Sequence, residues 1–190
     1  MEKIIPRWEW RTFGDGSPEE KNIRKFENTR VRETDEIYIL SRKSNDNTKI
    51  RDELMDIKTP LRINTETGLE QWTVVMKAGF PIHINDLAIV YKAFGLPLPY
   101  LEKDEYSYYE YLEKLIGENS QLRTVNVHKK RFGFMINDCI VEIAEVKFDD
   151  IALKTIAVEH ADPSLVLKTV QELGLTKYEN INYIKAMKRT

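Results

Sequence analysis

Three extended-looking stretches of the chain carry charged residues two positions apart: Lys49 with Arg51, Asp56 with Lys58, and Lys129 with Arg131. In a strand, residues i and i+2 point to the same side, so each pair shares a face. One reading is that these are solvent faces of half-buried strands in an ordinary antiparallel sheet. The other is that the strands close into a barrel wide enough for water or a ligand, with the charged face lining the lumen and the apolar face packed on helices outside. Lys and Arg converging from several strands then suit a triphosphate, because a guanidinium takes phosphate oxygens two at a time and an ammonium acts as a compact point charge.

Any such anion site has to be local. Lys plus Arg total 29 against 31 Asp plus Glu, a formal charge of -2, which gives no field over the whole chain to draw it to DNA, RNA or an acidic membrane. The single cysteine, Cys139, excludes an internal disulfide framework. His83, His128 and His160 lie too far apart to suggest zinc. The opening MEKIIPRWEW has no apolar run of signal-peptide length, and no later stretch approaches the roughly 18 apolar residues of a membrane span, so the expected location is the cytoplasm. Tyr100, Tyr106, Tyr108, Tyr109 and Tyr111 read as a helix face that packs on the sheet rather than as a stacking platform. Gly14-Asp15-Gly16 reads as a turn, since it lacks the lysine and hydroxyl of a phosphate loop.

The elements that must position these residues follow from periodicity. With 190 residues, 42% of them apolar, the chain can bury a full core, and its length suits one domain over 1–190. Residues 7–13 alternate, with Arg7, Glu9, Arg11 and Phe13 on one side and Trp8, Trp10 and Thr12 on the other. Ser17-Pro18-Glu19-Glu20 starts a short helix to about Asn28. Strands are expected over 34–41, 48–52, 54–59, 68–77, 122–135, 139–148 and 153–159, with a hairpin turn at Ile136-Asn137-Asp138. Helices are expected over 85–94, stopped by Gly95, over 105–116, stopped by Gly117, and from Asp162-Pro163 to Leu173. Strands, inserted helices, strands again and a helical end point to an α+β chain with a mainly antiparallel sheet.

On these elements several motifs resemble those of the CYTH-like triphosphate tunnel proteins. NTKIRDELMDIK, residues 47–58, is similar to paired family strands in which a basic-x-basic step precedes a strand ending in lysine. RWEWR partly resembles the opening Glu-x-Glu-x-Lys motif, with Glu9 and Arg11 in place and Arg7 where the first glutamate should be. VHKKRFGF, IVEIAEV and TIAVE resemble the late basic strand, the acidic strand and the closing Glu-x-Glu, with Ala157 in the first acidic place and Glu159 in the second. ENINYIKAMK, with Asn182, Tyr183 and Lys185, is similar to the short C-terminal helix.

The resemblance implies an eight-stranded antiparallel β barrel, a tunnel with flanking helices, that processes a small-molecule triphosphate or polyphosphate with Mg2+ or Mn2+. It implies Glu9, Glu145 and Glu159 as metal ligands. Glu145 is preferred to Glu142 because it precedes Val146 as the family acid precedes its valine, and the two, three apart on a strand, cannot share a face. It implies Glu9, Glu159 and Lys58 as catalytic residues, and Arg7, Arg11, Lys49, Arg51, Lys58, Lys129, Arg131 and Lys185 as triphosphate ligands. Acids are missing at Arg7 and Ala157, so two functions stand: a metal-dependent triphosphatase or related phosphoryl-processing enzyme, or a triphosphate-binding protein without metal chemistry.

Overall fold

The computed structural model of the chain describes residues 5–190. In chain order its elements are β1 (Trp8–Gly14), α1 (Glu19–Ile23), β2 (Asn28–Ser41), β3 (Asn47–Arg51), β4 (Leu54–Ile63), β5 (Glu70–Gly79), β6 (Ile82–His83), α2 (Ile84–Phe94), β7 (Glu105–Tyr106), α3 (Tyr108–Glu110), β8 (Leu122–Ile136), β9 (Cys139–Phe148), β10 (Ile151–His160), α4 (Pro163–Glu172) and α5 (Tyr183–Lys188). Eight strands close into an antiparallel barrel in the order β1-β10-β9-β8-β2-β3-β4-β5, and β5 pairs back onto β1. β6 and β7 form a separate two-stranded ribbon.

The local signals account for most boundaries. Asp162 caps α4 through Ser164 N–H, with Pro163 in the first turn where its missing donor costs nothing. Gly95 ends α2 in the left-handed region at φ 68°, a conformation glycine adopts without strain. Asn137 and Asp138, both at positive φ, make the two-residue turn of the β8–β9 hairpin, and Ile136 belongs to the strand rather than to the turn.

Four expectations change. α1 stops at Ile23, and β2 begins at Asn28, six residues before the expected strand. β4 runs on past Thr59 through Pro60 to Ile63. The expected helix over 105–116 opens with the β7 bridge, is α-helical only over Tyr108–Glu110, where Ser107 and Glu110 form a capping box, and continues as a π-helix over Tyr111–Gly117.

The chain groups into two compact units. The first holds the chain up to Thr34, Pro60–Thr73 and His128–Thr190; the second holds Asp35–Thr59 and Val74–Val127. In the first, one face of β1, β9 and β10 supplies Trp10, Val141, Ile143, Ile156 and Val158, and α4 covers it with Val166 and Val170. Each such aliphatic side chain, fully buried, stabilises by roughly 1.5–3 kcal/mol. Cys139 belongs to this core, its Sγ 3.4 Å from Thr169 Oγ1. In the second unit Ile50, Met55, Ile57 and Met76 pack with Leu87, Val90, Tyr91 and Phe94 of α2 and with Tyr111. Among the described residues no helix is long and apolar enough to cross a membrane.

Candidate functional site

In the first unit β1 sends Trp10 into the core and so turns Glu9, Arg11 and Phe13 to its other face. Register then builds the site. β10 sets Glu159 beside Glu9 and Ala157 beside Arg11, and β9 sets Glu142 beside Ala157. On the other side of β1, Glu70 of β5 is the partner of Glu9.

Arg11 is the centre of this group. Its Nε donates to Glu9 Oε1 at 2.8 Å, its Nη1 lies 3.2 Å from Thr155 Oγ1 and 3.4 Å from Glu142 Oε1, and its Nη2 lies 3.9 Å from Glu159 Oε1. Only 6% of the side chain is exposed. Burial opposes its charge, but the Glu9 carboxylate, Tyr183 and Glu142 more than offset that, and its pKa is raised. Burial and the Glu9 carboxylate push the Glu159 carboxyl up to about 7, with Glu142 adding to the rise and Arg11 and Arg7 pulling the other way. Arg7 Nη1 stands 3.8 Å from Glu159 Oε2 at the exposed rim.

The C-terminal segment locks the group in place. Asn180 Oδ1 accepts from the Arg11 backbone N–H at 3.0 Å, and Ile181 N–H donates to the Arg11 carbonyl at 2.7 Å. The Tyr183 ring packs on Phe13 and Phe148, with the Arg11 guanidinium 4.7 Å and the Lys129 ammonium 3.9 Å from its centroid. Glu70 accepts from Asn182 Nδ2 and from Lys185 Nζ, both at 2.7 Å. Lys185, expected to bind triphosphate, thus anchors α5 to β5.

Beside Glu142 the first unit has a cavity of about 330 Å³ whose walls include Arg30, Arg32, Arg131, Gly133, Ile140 and Glu142. Arg131 Nη2 donates to Thr34 Oγ1 at 2.7 Å, which sets its guanidinium on the face that Arg30 and Arg32 share with Thr34. Three guanidiniums around one hollow suit a polyanion.

The second unit carries its own charged group. Lys49 Nζ donates to Glu36 Oε2 at 2.9 Å, Arg51 lies 3.7 Å from Glu36 Oε1 and 3.8 Å from Asp56 Oδ2, and Glu36, Lys49 and Asp56 are buried. Burial lowers the Lys49 pKa, against the pull of Glu36. These cations are already neutralised by carboxylates, whereas Lys58, across the ladder from Asn47, has no ion-pair partner among the described residues.

The metal set expected from sequence does not assemble. Glu145 is exposed opposite Lys154 and sits on the other face of β9 from Glu142, because three residues along a strand reverse the side. Glu142 takes that place. Glu9, Glu142 and Glu159 are hard oxygen donors of the kind Mg2+ or Mn2+ uses. The point they share, however, is filled by the Arg11 guanidinium. A cation 4 Å from it meets about 4 kcal/mol of repulsion per unit charge at an effective dielectric of 20, and a divalent ion about twice that. Among the described residues no group of three or more acidic, histidine or cysteine side chains is arranged to hold a metal ion. As they stand, these residues do not fit a divalent ion.

Sequence reasoning missed Arg30, Arg32, Glu36 and Glu70, and it placed Glu142 second to Glu145. Arg30 and Arg32 fall in residues 29–33, between the expected helix end at Asn28 and the expected strand over 34–41, where no apolar alternation marks a strand.

No known family pattern matches the chain, and no curated protein does. Solved structures do. A candidate adenylyl cyclase from Hippeastrum with a dominant triphosphatase activity superimposes with a TM-score of 0.52 at 9% identity, covering 96% of this chain and 95% of that one. A candidate adenylate cyclase from Bacillus halodurans gives 0.52 at 14% identity, over 96% and 98%. A conserved protein of unassigned function from Pyrococcus furiosus gives 0.51 at 16% identity, over 93% and 98%.

Proposed function

We propose that this chain, whose barrel has the CYTH-like tunnel fold, binds a small molecule bearing a triphosphate or polyphosphate. The observation that carries this reading is the cavity walled by Arg30, Arg32 and Arg131. A polyphosphate chain offers many acceptor oxygens at high charge density, and three forked guanidiniums can each take two of them. Arg7, at the exposed rim of the carboxylate group, is a further cation in the same unit. The triphosphatase activity of the Hippeastrum protein supports the same class of ligand.

A second reading, hydrolysis of the phosphoric anhydride, is favoured by Glu159. A carboxyl raised to about 7 is matched to accepting a proton from attacking water near neutral pH. In that reading Glu159 is the base and Glu9 holds Arg11 in place beside it.

Calorimetric titration with tripolyphosphate tests the first reading. Saturable one-to-one binding is expected, weakened at least about tenfold in Arg131→Ala, since a charge-assisted hydrogen bond contributes roughly 1.5–3 kcal/mol. No heat of binding in the wild type would sink it. Release of orthophosphate or pyrophosphate from tripolyphosphate, lost in Glu159→Gln, decides the second.

A further inference from the structure

Three carboxylates from three neighbouring strands converge on one side chain, and that side chain is a built-in cation. Arg11, Ala157 and Glu142 form one cross-strand row, so Glu142 stands two strands away from Arg11. With strands about 4.8 Å apart, arginine can span that distance only if the residue between leaves the path clear. Ala157 does so: it is fully buried and presents a single methyl. A glutamate at 157 would stand in the way. The missing acid at this position is therefore the space that lets Arg11 reach Glu142. The main chain of Arg11 is tied to Asn180 and Ile181, and the Tyr183 ring closes one side of the guanidinium. A guanidinium offers five donors in one plane, enough for several carboxylates at once, and it does not deprotonate to make room for a metal.

Resting on the anion-binding reading above, we propose that Arg11 is the permanent counter-cation of this carboxylate group. It sits at the point that Glu9, Glu142 and Glu159 share and offsets part of their charge in place of a divalent ion, and the barrel takes up a polyphosphate without Mg2+ or Mn2+.

The test is a Mn2+ titration of the wild type, Arg11→Gln, Arg11→Lys and the double variant Arg11→Gln/Glu9→Gln, followed by calorimetry and by the resonance signal of free Mn2+. Thermal midpoints confirm that each variant folds. The wild type and Arg11→Lys are expected to show no saturable binding below millimolar Mn2+. Arg11→Gln should gain a one-to-one site at least tenfold tighter, which the double variant loses. Saturable micromolar binding by the wild type, or none by a folded Arg11→Gln, overturns the proposal. If Arg11→Gln does not fold, the wild-type titration decides alone, joined by tripolyphosphate affinity in EDTA and in Mg2+: equal values uphold the proposal, and a tenfold gain with Mg2+ overturns it. Absence of tripolyphosphate binding under both conditions would overturn the functional reading, while the Mn2+ titrations still decide the role of Arg11.

Discussion

At the scale of single residues the site is a balance of charges packed too closely to titrate independently. Glu159 has its carboxyl raised to about 7 from an ordinary 4.5. The fold therefore favours its protonated form, so its contribution to stability is complete below about pH 4.5 and is lost as pH rises through 7. The thermal midpoint of the wild type should fall between pH 5 and pH 8, and that of Glu159→Gln, neutral throughout, should fall less. At pH 8 the variant should be the more stable by a few degrees, since 1 kcal/mol moves the midpoint of a chain this size by about 2–4 °C. Parallel melting curves for the two proteins across that range would show that Glu159 carries no such strain. This residue was legible in the sequence, and so was Arg11. What the sequence could not give was their relation to Glu142. Choosing between Glu142 and Glu145 needs the register of β9 against β10, and a one-residue difference exchanges the two faces.

At the scale of elements, alternation and caps identified every barrel strand, but not where each ended or how its charges were spent. The Lys49 and Arg51 pair was expected to face a ligand. In the structure both hold Glu36, whose side chain is fully buried, on the neighbouring β2. Removing one partner of a buried pair costs about 3–5 kcal/mol, and the lower figure applies here because Arg51 remains 3.7 Å away. Lys49→Ala should accordingly lower the thermal midpoint by roughly 6–12 °C. The double change Lys49→Met/Glu36→Gln should recover much of it, and a single variant that melts like the wild type would contradict the assignment. The β8–β9 turn makes a second, independent prediction. Asp138 sits at φ 62°, where glycine is unstrained and a β-branched residue is not. Asp138→Gly should leave denaturant stability unchanged or slightly higher, and Asp138→Val should lower it by about 1–2 kcal/mol. Equal stability in the two would place the turn elsewhere. Turn residues of this type can be read from sequence because their chemistry is local. Glu36 could not, because its partner comes from a different strand and is fixed only by pairing.

At the scale of the whole molecule, a chain of formal charge -2 carries a closed barrel in which basic side chains are gathered locally and largely held by acids. The overall balance was legible in the composition, and it implied that any anion site is local. The location of that site was not, because Arg30 and Arg32 belong to a stretch of β2 that has no apolar alternation to announce it. The central claim is that the arginine-walled cavity binds a polyphosphate, and the most direct test is calorimetry of tripolyphosphate with the wild type and Arg32→Ala/Arg131→Ala in the presence of EDTA. One-to-one binding by the wild type that weakens as salt rises is expected, with a loss of about a hundredfold or more in the double variant if the two guanidiniums each contribute at least about 1.4 kcal/mol. Equal affinity in the two proteins, or no binding by the wild type, would contradict it.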